Sequence, residues 1–137
     1  MLSYTLAVRS LDGAGPHQRG VALKAPGDGR ITDSTGSAAF TLTNTGKTAP
    51  VAAEAHPTDA TAYIDGDVYR LSVSVEGAGW KAALQNGLAA VTTGASQPVQ
   101  VFIARDADSA STARVTLTAT SESDSSKTTT ATWSVRR

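Results

Sequence analysis

Two histidines, His17 and His56, are the only side chains suited to act as a general base near neutral pH. Both stand beside prolines, Pro16 and Pro57, in Gly/Pro-containing stretches. Neither falls within a Gly-x-Ser-x-Gly or His-Glu-x-x-His spacing, so no nucleophile elbow or zinc-hydrolase helix is written here. Glycoside hydrolysis needs two carboxylates facing each other across a sugar, and no such pair stands on separate strand ends with enclosing aromatics. The sequence names no catalytic residue, and the expectation drawn from it is a chain that is not an enzyme.

Hard-metal chemistry is the next possibility. Asp65-Gly66-Asp67, with Glu54 and Asp59 upstream, offers oxygen ligands of the kind calcium takes. The spacing lacks the glutamate that closes an EF-hand loop, and Asp-Gly-Asp is also common turn chemistry, which is the reading adopted. Asp106-Ala107-Asp108 is a weaker pair of the same sort. With no cysteine, disulfides and thiolate sites are excluded. Gly77-Ala78-Gly79 leads into a strand instead of a helix, so it makes no phosphate cradle. No metal and no cofactor are expected.

Binding surfaces require exposed groups. Seven aromatics are present, namely Tyr4, Phe40, Tyr63, Tyr69, Trp80, Phe102 and Trp133. Most fall on the apolar phase of an alternating segment and read as core. Phe102 is the exception, because Val101 and Ile103 on either side of it own the buried phase. Tyr63 lies in the irregular stretch from Lys47 to Gly66. These two are the candidate surface contacts. Acidic and basic residues number 12 each, and the basic ones are scattered, apart from Arg136-Arg137. Nucleic acid and anionic membranes attract clustered Lys/Arg, so neither is an expected partner. No apolar run approaches the roughly 20 residues of a membrane helix.

The elements that must carry these groups are strands. Period-two alternation runs through Leu2–Arg9, Val21–Ala25, Ala38–Leu42, Val68–Val75, Trp80–Leu84, Leu88–Val91, Pro98–Ala104, Val115–Thr120 and Thr130–Val135. Pro26-Gly27-Asp28-Gly29, Asn44-Thr45-Gly46, Asn86-Gly87 and Asp124-Ser125-Ser126 punctuate them, and Asn86-Gly87 has the chemistry of a two-residue hairpin turn. Turn signals every 8–12 residues, with no helical periodicity, predict an all-β antiparallel sandwich of two sheets. Ser and Thr make up roughly a quarter of the chain, which suits solvent-facing strand positions. At 137 residues and 40% hydrophobic, the chain fits one domain, 1–137, with a real core. Met1 directly precedes the first strand pattern, as expected of a segment cut from a larger protein.

Three segments carry a resemblance. Phe40-Thr41-Leu42-Thr43-Asn44-Thr45-Gly46 resembles the strand and Asn-x-Gly signature of the bacterial immunoglobulin-like modules called NEW3 and CARDB. Gly79-Trp80-Lys81-Ala82-Ala83-Leu84, followed by Thr93 to Val101, is similar to their Gly-Trp strand and Gly-x-Ser segment. Val115 to Val135 resembles their closing hairpin. The likeness covers about Ala38 to Val135, while Leu2–Gly29 and Lys47–Asp67 are longer than the pattern. The resemblance implies an immunoglobulin-like β-sandwich. It also implies a non-catalytic accessory, spacer or docking module, secreted by a bacterium beside the catalytic domain of a hydrolase in the same chain. A monomer is expected, and the alternative is a module that binds carbohydrate or cell-wall polymer.

Overall fold

A computed structural model describes residues 18–47 and 66–137. Among these the chain forms nine strands and no helix, in the order β1 (Ala22–Lys24), β2 (Gly29–Arg30), β3 (Thr35–Thr43), β4 (Gly66–Glu76), β5 (Trp80–Leu84), β6 (Leu88–Thr92), β7 (Ser96–Arg105), β8 (Thr112–Ser121) and β9 (Thr128–Arg136). They make a four-stranded sheet, β1-β3-β7-β5, and a five-stranded sheet, β2-β9-β8-β4-β6. The expected all-β, two-sheet sandwich is what forms. The strand pattern at Leu2–Arg9 lies outside the described residues.

Alternation decides which side chains fill the space between the sheets. Phe40, Leu42, Trp80, Val99, Val101 and Ile103 come from the smaller sheet, and Tyr69, Leu71, Val91, Val115, Leu117, Trp133 and Val135 from the larger. Both tryptophans are buried, as their phases predict, and each satisfies its indole N–H. Trp80 Nε1 donates to the Ala110 carbonyl (2.8 Å) and Trp133 Nε1 to the Gly27 carbonyl (2.9 Å). Gly77 and Gly79 end the β4 alternation with positive φ. At Gly79 a Cβ would lie 2.8 Å from the Ser109 backbone, so only glycine allows that approach.

Three local expectations are corrected. First, the sandwich is not wholly antiparallel. After β1 the chain passes through Pro26-Gly27-Asp28 to the other sheet while keeping its direction, so β2 lies parallel to β9, with Gly29 opposite Val135. Second, Asn86-Gly87 does not close a hairpin, because β5 and β6 belong to different sheets and the dipeptide carries the chain from one to the other. Third, the turn expected at Asp65-Gly66-Asp67 does not extend through Gly66 and Asp67, which belong to β4 and pair with Thr92 and Val91; Asp65 lies outside the described residues.

In the larger sheet β9-β8-β4 form the middle, with β2 and β6 at the two edges. Pro98, which has no N–H to give a ladder, stands in β7 between two neighbours. It is tolerated because β5 pairs only with Val101–Arg105 and leaves that end of β7 bonded on the β3 side alone.

Candidate functional site

Two features stand out against this frame, a closed polar network at one end of the sandwich and an aromatic on an open sheet face. The network centres on Asp67, 6% exposed on the inward phase of β4. Its Oδ1 accepts from the Val68 N–H and the Ser123 hydroxyl (2.8 Å each), and its Oδ2 accepts from the Ser121 hydroxyl. Ser121 Oγ in turn accepts from the backbone N–H groups of Ser123 (3.1 Å) and Asp124 (3.0 Å). A hydroxyl has one proton and two lone pairs, so Ser121 has no capacity left.

Beside it, Arg19 donates to the Gly66 carbonyl (2.8 Å) and the Tyr69 hydroxyl to the Gly20 carbonyl (2.7 Å). Burial pushes the Tyr69 phenol up to about 12, helped by the negative charge of Asp67 and opposed by Arg19. A carboxylate so fully engaged ties the β8–β9 turn to the start of β4. Among the described residues no group of three His, Asp or Glu side chains is arranged to hold a metal ion. At that turn, Asp124 accepts from both the hydroxyl and the N–H of Ser126, which lowers its pKa.

The Asn-x-Gly signature turns out to be a bridge between sheets. Asn44, 2% exposed at the end of β3, donates its Nδ2 to the Val91 carbonyl of β6 (2.9 Å) and accepts the Gly46 N–H on Oδ1 (2.9 Å).

Phe102 is where its phase placed it, on the outer face of the four-stranded sheet, 44% exposed. The ladder sets it opposite Ser37 on β3 and Ala83 on β5. Small neighbours leave the ring standing above the sheet beside a shallow depression of about 680 Å³ bordered by Thr35, Ser37, Lys81, Ala83 and Ala104. The arrangement has no reactive group. It is suited to apolar contact with a flat partner. Tyr63, the other candidate contact, lies outside the described residues, as do His17, His56, Glu54, Asp59 and Asp65. Asp67, Ser121 and Ser123 were missed as a unit. Their signal was faint, since Asp67 merely shares its phase with Tyr69 and Leu71.

Comparison with known proteins bears on these features. Residues 19–137 match the family model described as Peptidase M6-like domain. The chain belongs to the peptidase M6-like domain family. A protein of the fungus Arthroderma benhamiae, named as a candidate secreted metallopeptidase, is 43% identical over 122 residues. That stretch is 85% of this chain but 18% of the relative, so the peptidase M6-like domain spans less than a fifth of the curated relative it matches.

Two solved structures share the fold. The secreted serine protease VesC of Vibrio cholerae aligns with a TM-score of 0.50 at 17% identity, over 85% of this chain and 23% of its own. A FixG-related protein of Vibrio parahaemolyticus aligns with a TM-score of 0.50 at 11% identity, over 88% of this chain and 96% of its own.

The peptidase M6-like domain is thus a domain associated with secreted proteases, and the expected extracellular location agrees with the relative's name. The family model that matches is the M6-like one, which does not confirm the NEW3/CARDB type, and the relative is fungal, which does not confirm a bacterial source. The expectation of no enzyme is overturned, because family and relative both carry peptidase names. That expectation rested on motif spacing, on the lack of a facing carboxylate pair and on a resemblance to non-catalytic modules. Motif spacing is blind to groups assembled from distant segments, and both histidines lie in stretches outside the described residues.

Proposed function

We propose that this peptidase M6-like domain is one part of a longer secreted metallopeptidase and serves it as the body against which the catalytic part is seated. On this reading the domain belongs to an enzyme, and its own contribution is to dock, space and stabilise. The observation that carries the reading is Phe102, a large apolar ring 44% exposed among the small side chains of Thr35, Ser37, Ala83 and Ala104, with Lys81 at the border. Interfaces between domains of one chain are modest and partly polar, so one such ring can orient a neighbour. The share of the fungal metallopeptidase that lies outside the matched region supplies, by analogy, the neighbour required. The domain itself is read as a single folding unit over 1–137 and as a monomer.

The test compares the full-length peptidase with its Phe102→Ser variant. The isolated domain should melt at nearly the same temperature in both forms, since the ring contributes little to its own core. In the full-length variant, the segment joining the domain to the catalytic part should be cut faster by an added protease. A pull-down of the isolated domain on insoluble polysaccharide and peptidoglycan runs alongside. Retention there, lost in Phe102→Ser, would replace the docking role by polymer binding.

A further inference from the structure

The five-stranded sheet ends in β6, and the ladder fixes what that edge offers. Leu71 N–H donates to the Gly87 carbonyl (2.8 Å), and the Val68 carbonyl accepts from Glu122 on the opposite side (2.9 Å). In an antiparallel ladder bonded and non-bonded pairs alternate. Asp67 and Tyr69 therefore bond to Val91 and Ala89, whereas Leu88 and Ala90 stand opposite Arg70 and Val68 at non-bonded positions. The N–H and C=O groups of Leu88 and Ala90 point away from the sheet, and no described residue pairs with them.

Sheet edges are normally blunted by charge, proline or brevity. Three of the four edge strands obey this rule. β1 has three residues and Lys24, β2 has two and Arg30, and β5 carries Lys81. β6 has five residues, Leu-Ala-Ala-Val-Thr, with no charge and no proline.

Its surroundings suit a strand as well. Outside the sheet, Leu88 (53% exposed) and Val68 (39%) stand along the edge, with Arg70 opposite Leu88 and Ala90 opposite Val68. On the inner side, a cleft of about 100 Å³ opens between β6 and β7, lined by Leu71, Ala89, Val99, Gln85 and Gln97. Paired donors and acceptors repeating every two residues, about 6.8 Å apart, match another polypeptide backbone and no sugar or lipid.

We infer that β6 is a strand-acceptor site that binds an extended, uncharged segment of a separate polypeptide by β-augmentation. Backbone bonds to Leu88 and Ala90 hold the segment. Its alternate side chains fall beside Leu88 and Val68 and into the inner cleft, which has room only for a small group. This site is on the other sheet from Phe102 and does not depend on the docking role proposed above.

The probe is an acetylated, amidated heptapeptide, Lys-Thr-Val-Thr-Val-Thr-Lys, whose end lysines keep it in solution. Amide hydrogen exchange is followed residue by residue in the full 137-residue chain. In dilute free protein the Leu88 and Ala90 amides should exchange fast while those of Ala89 and Val91 are protected. Saturating peptide should slow Leu88 and Ala90 about tenfold or more, the scale of one or two backbone hydrogen bonds.

Ala90→Pro removes an outward N–H without touching the bonds to β4 and should abolish the effect, with Ala89 still protected as proof that the sheet is intact. The same peptide methylated on its bonding nitrogens should be inert, and this control does not rely on the variant folding. The inference is overturned by any of four results: unchanged exchange at Leu88 and Ala90, equal slowing by the methylated peptide, slow exchange before peptide is added, or protection that grows with protein concentration alone.

Discussion

Asn44 and Val91 sit on opposite sheets and are joined by one amide hydrogen bond of 2.9 Å at a point shielded from water. Side-chain bonds across a sandwich are unusual because the space between sheets is mostly apolar. This one works because the same amide group, through Oδ1, also takes the Gly46 N–H. Replacing Asn44 by Ala leaves both backbone groups short of a partner and should destabilise the domain by about 1–3 kcal/mol. Asn44→Asp should do no better, since a carboxylate cannot donate to the Val91 carbonyl. Urea unfolding of the two variants against the parent measures both.

The alkaline limb of stability should report Tyr69. Folded, its phenol holds its proton to about 12, because burial and Asp67 disfavour the phenolate more than Arg19 favours it. In the unfolded chain it ionises near the ordinary phenol value of 10.0. Between these two values the unfolded state has lost the proton and the folded state has kept it. Stability from this group is therefore complete below about pH 10 and falls as pH rises towards 12. In Tyr69→Phe that part of the decline should be absent, at a cost of about 1 kcal/mol at neutral pH for the lost bond to Gly20. Denaturant melts at several pH values between 9 and 12 give the comparison, with roughly one-unit steps enough to resolve it.

Gly29 is held without a side chain by Trp133, whose ring a Cβ there would meet at 2.7 Å. Gly29→Ala should cost about 1–3 kcal/mol through forced movement of the indole. Trp133→Ala should cost about 3–5 kcal/mol through the cavity it leaves. In the double variant Gly29→Ala/Trp133→Ala the clash is relieved, so the combined cost should be less than the sum. A double-mutant cycle by thermal melting tests the coupling.

Ser109 makes the opposite case to Ser121. The residue is 2% exposed, pressed against Gly79 in the β7–β8 connection, and its hydroxyl has no hydrogen-bond partner among the described residues. Ser109→Ala should be neutral or stabilise by about 1 kcal/mol, because an unpaired buried hydroxyl is removed. Ser121→Ala strips a donor from Asp67 and an acceptor from two N–H groups, and should destabilise by about 1–3 kcal/mol. Parallel melts of the two alanine variants should differ in sign.

The contrast between these residues explains what the amino-acid order made legible. Strand phase is a local property, so the burial of Trp80 and Trp133 and the exposure of Phe102 could be read from nearest neighbours. The role of Asp67 could not, because Ser121 and Ser123 lie 54 and 56 residues away and nothing in Asp65-Gly66-Asp67 points to them. Gly29–Arg30 was too short to alternate, so its parallel pairing with β9 was invisible. Asn86-Gly87 was identified as a reversal, but reversal chemistry does not say whether the next strand rejoins the same sheet. The peptidase connection was hidden for a further reason: it is carried by a strand pattern that names a family and no reaction.

The parallel seam between β2 and β9 has a mechanical consequence. Gly29 faces Val135, and the Ile31 N–H reaches the Arg136 carbonyl at 2.7 Å. Tension applied along the chain from residue 18 to residue 137 pulls these two strands past one another lengthwise. Their bonds then share the load and must fail together, instead of opening one by one as in a peeled hairpin. A domain built this way resists a pull on its two ends up to a single threshold and then gives way at once.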